Sequence, residues 1–237
     1  MSDPSSVSTS LGRPVILING VGSNFDSLWR RNGWVDKLEA AGRTVVGVDL
    51  PGHGASKDAV ARDAADLILD EAVKYVSVDA IGFSAGAWAL LLAASEQQAL
   101  FARIAVLGAA DNVLTAGMHS GPMQQPLIDA LRSSANPADN PMAAMIRAII
   151  ADAGNDRVAV ASYLAADKRF VTVEGLSGID AKTLVFDSSA DMAGPSDLVA
   201  QTIPNVEHIT IDGADHFEIP ASAYCLDVVM SFINPAG

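Results

Sequence analysis

The chain has 237 residues, half of them hydrophobic, which is enough to bury the core of one domain. Its net charge of -13 argues against nucleic acid, which calls for a basic patch. A single cysteine, Cys225, excludes an internal disulfide, suits a reducing compartment and reads as a buried small hydrophobe.

The first twelve residues, 1–12, are serine-rich and carry no apolar signal-like core, so they read as a loose tail. No apolar run reaches the roughly 18 residues of a membrane span. The expectation is therefore a cytoplasmic protein with no membrane span; monomer and homodimer are both left open.

The apolar run Val15-Ile16-Leu17-Ile18 reads as a strand buried on both faces, ending near Asn19. It is followed by the turn Asn19-Gly20-Val21-Gly22. This turn lacks the third glycine of a dinucleotide loop. A helix is predicted over Leu28–Ala41 and a second strand over Thr44–Asp49. Next come the loop Asp49-Leu50-Pro51-Gly52-His53-Gly54-Ala55-Ser56 and a helix over Asp58–Lys74. His53 sits in a tight turn and reads as structural.

A third strand, predicted over Val76–Phe83, runs into Gly82-Phe83-Ser84-Ala85-Gly86, and an apolar helix follows over Ala85–Gln98. A serine on a sharp strand-to-helix turn is pushed out of the sheet. Glycines flank it because side chains there would clash with the neighbouring strand or helix. This is the nucleophile elbow. A fourth strand is predicted over Arg103–Gly108, with Asp111 just beyond it.

Between Asp111 and Gly175 the strand rhythm stops. Helices are predicted over Pro122–Ser134, from an Asn140 cap and Pro141 to Gly154, and over Asp156–Ala166. This segment, 111–175, reads as a helical cap inserted into a sheet domain made of 13–110 and 176–237. Its methionines Met118, Met123, Met142 and Met145 fit a pocket wall or simple core. His119 also falls in the cap.

The sheet resumes with Thr183–Asp187, followed by the loop Ser188-Ser189-Ala190-Asp191 and a helix over Ser196–Ile203. A last strand is predicted over His208–Asp212, alternating as an edge strand does. The loop Gly213-Ala214-Asp215-His216-Phe217 and a helix over Ser222–Phe232 end the chain. Strands alternating with helices predict an α/β fold with a mostly parallel sheet of about six strands.

A serine hydroxyl needs a base, and the base needs a carboxylate to hold its tautomer. Of the four histidines, His216 follows the last strand, where ligands gather in parallel sheets. His208 is placed at the opposite end of that strand. Asp191 is the favoured acid because its loop gives it reach, with Asp187 and Asp111 as alternatives. The backbone N–H of Ala85, at a helix start, and that of Val21 are the candidate oxyanion donors. No H-E-x-x-H or C-x-x-C spacing is present, so no metal and no cofactor are expected.

These landmarks together resemble the α/β-hydrolase superfamily from about Arg13 to the C-terminus. Asn19 stands where relatives commonly carry histidine, and the expectation is a sheet without the hairpin that many place before the first core strand. The resemblance implies a serine hydrolase that cleaves a small-molecule ester, thioester or lactone through an acyl-enzyme on Ser84. Gly20, Gly22, Phe83, the four cap methionines and Phe217 are the expected substrate contacts. Carbon–carbon bond hydrolases and cofactor-free haloperoxidases share this arrangement. A non-catalytic ligand binder of the same fold is the rival from another class.

Overall fold

A computed structural model describes residues 12–116, 124–135, 137 and 140–235. Met118, Met123 and His119 lie outside the described residues. The sheet consists of β1 (Val15–Ile18), β2 (Val45–Val48), β3 (Val78–Phe83), β4 (Phe101–Leu107), β5 (Lys182–Ser188) and β6 (Val206–Ile211). All pairings are parallel, in the order β2-β1-β3-β4-β5-β6. The order reverses between β1 and β3, and the crevice above such a switch point is where open parallel sheets bind ligands. The register pairs Ile18 with Gly82, so the turn after β1 lies beside the elbow after β3.

The main helices are α1 (Trp34–Ala40), α2 (Ala64–Ala72), α3 (Ala85–Glu96), α4 (Asn112–Ala116), α5 (Gln124–Arg132), α6 (Pro141–Ala153), α7 (Arg157–Ala165), α8 (Val173–Ser177), α9 (Asp197–Thr202) and α10 (Ala223–Ile233). Alternate residues of β1 feed opposite faces. Ile16 and Ile18 pack with α2, α3 and α9, whereas Val15 and Leu17 pack with α1 and α10. Both faces of the strand are therefore dry, which explains its unbroken apolar run. Helix α3 is buried on nearly every side, as its composition requires.

Several boundaries differ from the sequence reading. The helix predicted over 28–41 is split into a π-helical turn, Phe25–Arg30, and α1. Gly33 separates them, with φ at 78°, a left-handed conformation that ends the first helix. Helix α2 starts only at Ala64, because Asp63 caps it through the Ala65 N–H. Strand β3 starts at Val78, leaving Val76 exposed. His208 does not open β6 but sits within it, and its Nε2 lies 3.2 Å from Asp187 Oδ2.

Within 111–175 the described residues form helices α4 to α8 and no strand. Helix α6 begins as expected: Asn140 accepts the Ala143 N–H, Pro141 occupies the first turn, and Gly154 ends it at φ 70°. Leu131, Ile146, Ile150, Val160 and Ala161 form a small apolar cluster of their own, and Val21 and Phe217 from the sheet domain pack against it. Arg147 and Arg157 both hydrogen-bond carbonyls at the end of α5, which ties α6 and α7 to it.

Candidate active site

Ser84 has φ 55° and ψ -119°, making it the one non-glycine residue at positive φ among the described residues. Such a backbone costs on the order of 1–3 kcal/mol and persists only where its surroundings enforce it. The flanking glycines show what enforces it here. A Cβ on Gly82 would lie 2.7 Å from Gly86 O, and one on Gly86 would lie 2.4 Å from Asn19 O. The elbow is clamped between β1 and its own helix.

Ser84 Oγ lies 2.9 Å from His216 Nε2. His216 Nδ1 lies 2.8 Å and 3.0 Å from the two oxygens of Asp191. Both the imidazole and the carboxylate are buried. With Nδ1–H donating to Asp191, Nε2 is left to take the proton of Ser84. The ring packs on Phe83, at 4.8 Å between centroids, and edge-on to Phe217 at 5.2 Å. Gly108 gives the ring its seat: at φ 61°, a Cβ there would come 3.0 Å from His216 Cε1.

The other carboxylates of the sequence reading lie elsewhere. Asp187 Oδ2 accepts the Ser196 N–H at 2.9 Å as well as facing His208, which closes the loop that carries Asp191. Asp111 accepts the N–H groups of Leu198 and Val199 and so caps α9. Neither contacts His216.

The turn after β1 is tied down by side chains. Asn19 Nδ2 donates to Gly20 O and Ser23 O, while its Oδ1 accepts the Leu50 N–H. His53 Nε2 accepts the Gly22 N–H at 3.0 Å, and its Nδ1 lies 3.0 Å from Pro51 O. That pattern requires a neutral ring protonated on Nδ1. Burial supports it by pushing the His53 pKa down to about 4. The Val21 and Ala85 N–H groups have no acceptor among the described residues. They are the donors left over, beside Ser84.

Two cavities open side by side here. One, of about 200 Å³, is lined by Ser84, His216, Met142, Ile146, Met192 and Ala193. The other, of about 350 Å³, is lined by Ser23, Ser27, Leu28, Ala148, Ile149 and Asp152. Val21, Phe83 and Phe217 line both. Met145, half-buried on α6, lines neither. Gly20 backs onto Phe83 and Ser84, and Gly22 onto Ile149 and Ile150 of α6. Ile146, Ile149, Met192 and Ala193 were not singled out by the sequence, where they are ordinary apolar residues. Among the described residues, no group of three or more His, Cys, Asp or Glu side chains forms a metal site. No helix there is long and apolar enough to cross a membrane.

Known structures share this architecture. A 2-hydroxy-6-oxo-6-phenylhexa-2,4-dienoate hydrolase from Rhodococcus sp. strain RHA1 matches at 17% identity and TM-score 0.64, over 94% of this chain and 91% of its own. A putative non-heme bromoperoxidase, BpoC, from Mycobacterium tuberculosis H37Rv matches at 18% identity and TM-score 0.71, over 94% and 91%. Est816, an N-acyl homoserine lactone degrading enzyme, matches at 17% identity and TM-score 0.69, over 93% of each chain. At these identities the likeness is one of fold. None of the curated proteins matches the sequence significantly. The model of the alpha/beta hydrolase family matches residues 15–224. With that match covering most of its length, and with the parallel sheet that its strands build, the chain belongs to the alpha/beta hydrolase family.

Proposed function

We propose that the protein is a serine hydrolase that cleaves uncharged carboxylic esters, thioesters or lactones through an acyl-enzyme on Ser84. The carrying observation is the unbroken relay Ser84–His216–Asp191, at 2.9 Å and 2.8 Å. In this reading Ser84 Oγ attacks the carbonyl carbon while its proton passes to His216 Nε2. The carbonyl π electrons move onto oxygen, where the N–H groups of Val21 and Ala85 receive them. Collapse of that intermediate breaks the bond to the leaving group, which takes the proton from His216. Water, deprotonated by the same imidazole, then releases the acid.

The cavity lining bears on the substrate. Residues 111–175 serve as the cap, since Met142 and Ile146 wall the cavity above Ser84. Among the described residues, no lysine or arginine lines either cavity, and Asp152 is the one carboxylate. The Rhodococcus hydrolase acts on a dienoate, an anion. Asp152 is already paired with Arg31 Nη1 at 2.5 Å, outside the lining, so a carboxylate placed in these cavities would find no cationic side chain on the lining to pair it. A neutral acyl group fits the apolar lining, and a lactone, the class of compound that Est816 degrades, is neutral at its reacting group. In this reading the substrate is a small molecule met in the cytoplasm, and no cofactor takes part.

The test is hydrolysis of a panel of neutral p-nitrophenyl esters and lactones beside an anionic dienoate. The expected result is turnover of the neutral compounds, with kcat lowered about 10³–10⁶-fold in Ser84→Ala. Turnover of the dienoate alone would favour the carbon–carbon hydrolase reading. A folded Ser84→Ala protein with full esterase activity would remove Ser84 from the chemistry.

A further inference from the structure

Asn155 follows the last residue of the helix stop at Gly154, between α6 and α7, and is half-buried. Its backbone N–H donates to Ile150 O at 3.0 Å, fixing it to the end of α6. Its side chain reaches out of the cap segment and into the sheet domain. Nδ2 donates to Gly22 O at 2.8 Å and to Ser23 O at 3.1 Å. Oδ1 accepts the Gly54 N–H at 2.9 Å and an Asn24 Nδ2–H at 3.3 Å. Both ends of the amide face matching partners, so its orientation is set: turned over, its oxygen would face two carbonyls.

The receiving turn explains why this matters. Gly20 O accepts from Asn19 and Ser23, and the Gly22 N–H donates to His53. Gly22 O and Ser23 O take the two donors of Asn155. The Val21 N–H lies in the middle and donates to nothing among the described residues. A donor aimed at a developing oxyanion stabilises it only if its direction is fixed before the charge appears. Three side chains hold the turn, Asn19 from within it and His53 and Asn155 from outside. Of these, Asn155 alone comes from the cap segment.

That segment also walls the substrate cavities. Helix α6 supplies Met142 and Ile146 to one cavity, and Ala148, Ile149 and Asp152 to the other. We propose that Asn155 is a positioning residue for the oxyanion turn, linking the substrate-lining helix α6 to the direction of the Val21 N–H. The proposal rests on the serine-hydrolase reading above and adds to it a residue that touches no substrate.

The test uses the full chain and a neutral p-nitrophenyl ester, with Asn155→Ala and Asn155→Asp. The aspartate keeps the size of asparagine and an acceptor for Gly54 but sets a charged oxygen against Gly22 O and Ser23 O, so it should disturb the turn at least as much as the alanine, and thermal melts of both variants separate a misaligned turn from an unfolded chain. Removal of a direct oxyanion donor costs about 10²–10³-fold in kcat, and loss of its support should cost about 10–100-fold. KM should stay within about threefold. Binding of phenylboronic acid is the second readout. Its boron forms a bond to Ser84 Oγ, the displaced proton passes to His216, and an oxygen of the tetrahedral adduct enters the same hole. Its affinity should weaken by about the factor lost in kcat. An unchanged kcat with a lowered Tm would overturn the proposal and leave Asn155 as a brace of the cap. A rise in KM alone would overturn it too. Wild-type protein that neither turns over esters nor binds the boronate would overturn the site reading and this proposal together. An active wild type beside an equally active Asn155→Asp overturns only the proposal.

Discussion

At Ser84 the strained φ of 55° and the hydrogen bond to His216 come from the same clamp, since Gly82 and Gly86 bring the elbow against β1. The acid is set by position as well as type. Asp191 and Asp111 follow strands and Asp187 lies near the end of β5, yet only Asp191 reaches the imidazole. Asp191→Asn should therefore lower kcat by about 10³–10⁴-fold, because an amide no longer holds the productive tautomer. Asp187→Asn should cost less than about tenfold, as the amide oxygen still accepts the Ser196 N–H. Asp111→Asn should act on stability through the start of α9, at about 1 kcal/mol or less, and leave kcat near wild type. Steady-state kinetics and thermal melts on the three variants check this. A crippling loss of kcat in Asp111→Asn would contradict the geometry.

At the scale of elements, the turns after β1 and β2 form one unit, joined by Asn19, His53 and Asn155. His53 makes that unit sensitive to acid. Burial holds its folded pKa at about 4, below the ordinary histidine value of about 6.5, so the folded ring stays neutral where the unfolded one takes a proton. The sign follows: its contribution is fully present above about pH 6.5 and is lost as pH falls towards 4. The loss is on the order of 3 kcal/mol across that window. Denaturant unfolding at several pH values should show this slope, and His53→Gln should flatten it while lowering stability at neutral pH. An unchanged slope in His53→Gln would assign the acid sensitivity to other groups.

The strands and the elbow were legible in the sequence because each has a local signature. Val15-Ile16-Leu17-Ile18 announces a strand covered on both faces, and Gly-x-Ser-x-Gly announces a turn that only glycine flanks permit. His216 and Asp191 were legible because each occupies a loop at the carboxyl end of a strand. Asn155 and Gly108 left no such mark. An asparagine after a helix-ending glycine looks like any helix stop, and its partners lie more than a hundred residues away. His208 was misplaced because β6 starts two residues earlier than its alternation suggests, which moves the ring along the strand to Asp187. The break at Gly33 was hidden inside a periodic apolar pattern that runs through it.

For the whole molecule, the sheet brings residues far apart in the chain to one crevice, and helix α6 lines it with Met142, Ile146 and Ile149. The chain as a whole carries a net charge of -13, while the described cavity lining carries no basic side chain. Excess surface charge bears on solubility, and the lining bears on choice of substrate.

The central claim is that Ser84 is a nucleophile activated by His216. The most direct measurement is covalent labelling by a fluorophosphonate probe, located by peptide mass spectrometry. The account predicts a single adduct on Ser84 in the wild-type chain, slowed about 10³-fold or more in His216→Ala and absent in Ser84→Ala. No labelling of folded wild-type protein, or an adduct on another residue, would contradict it.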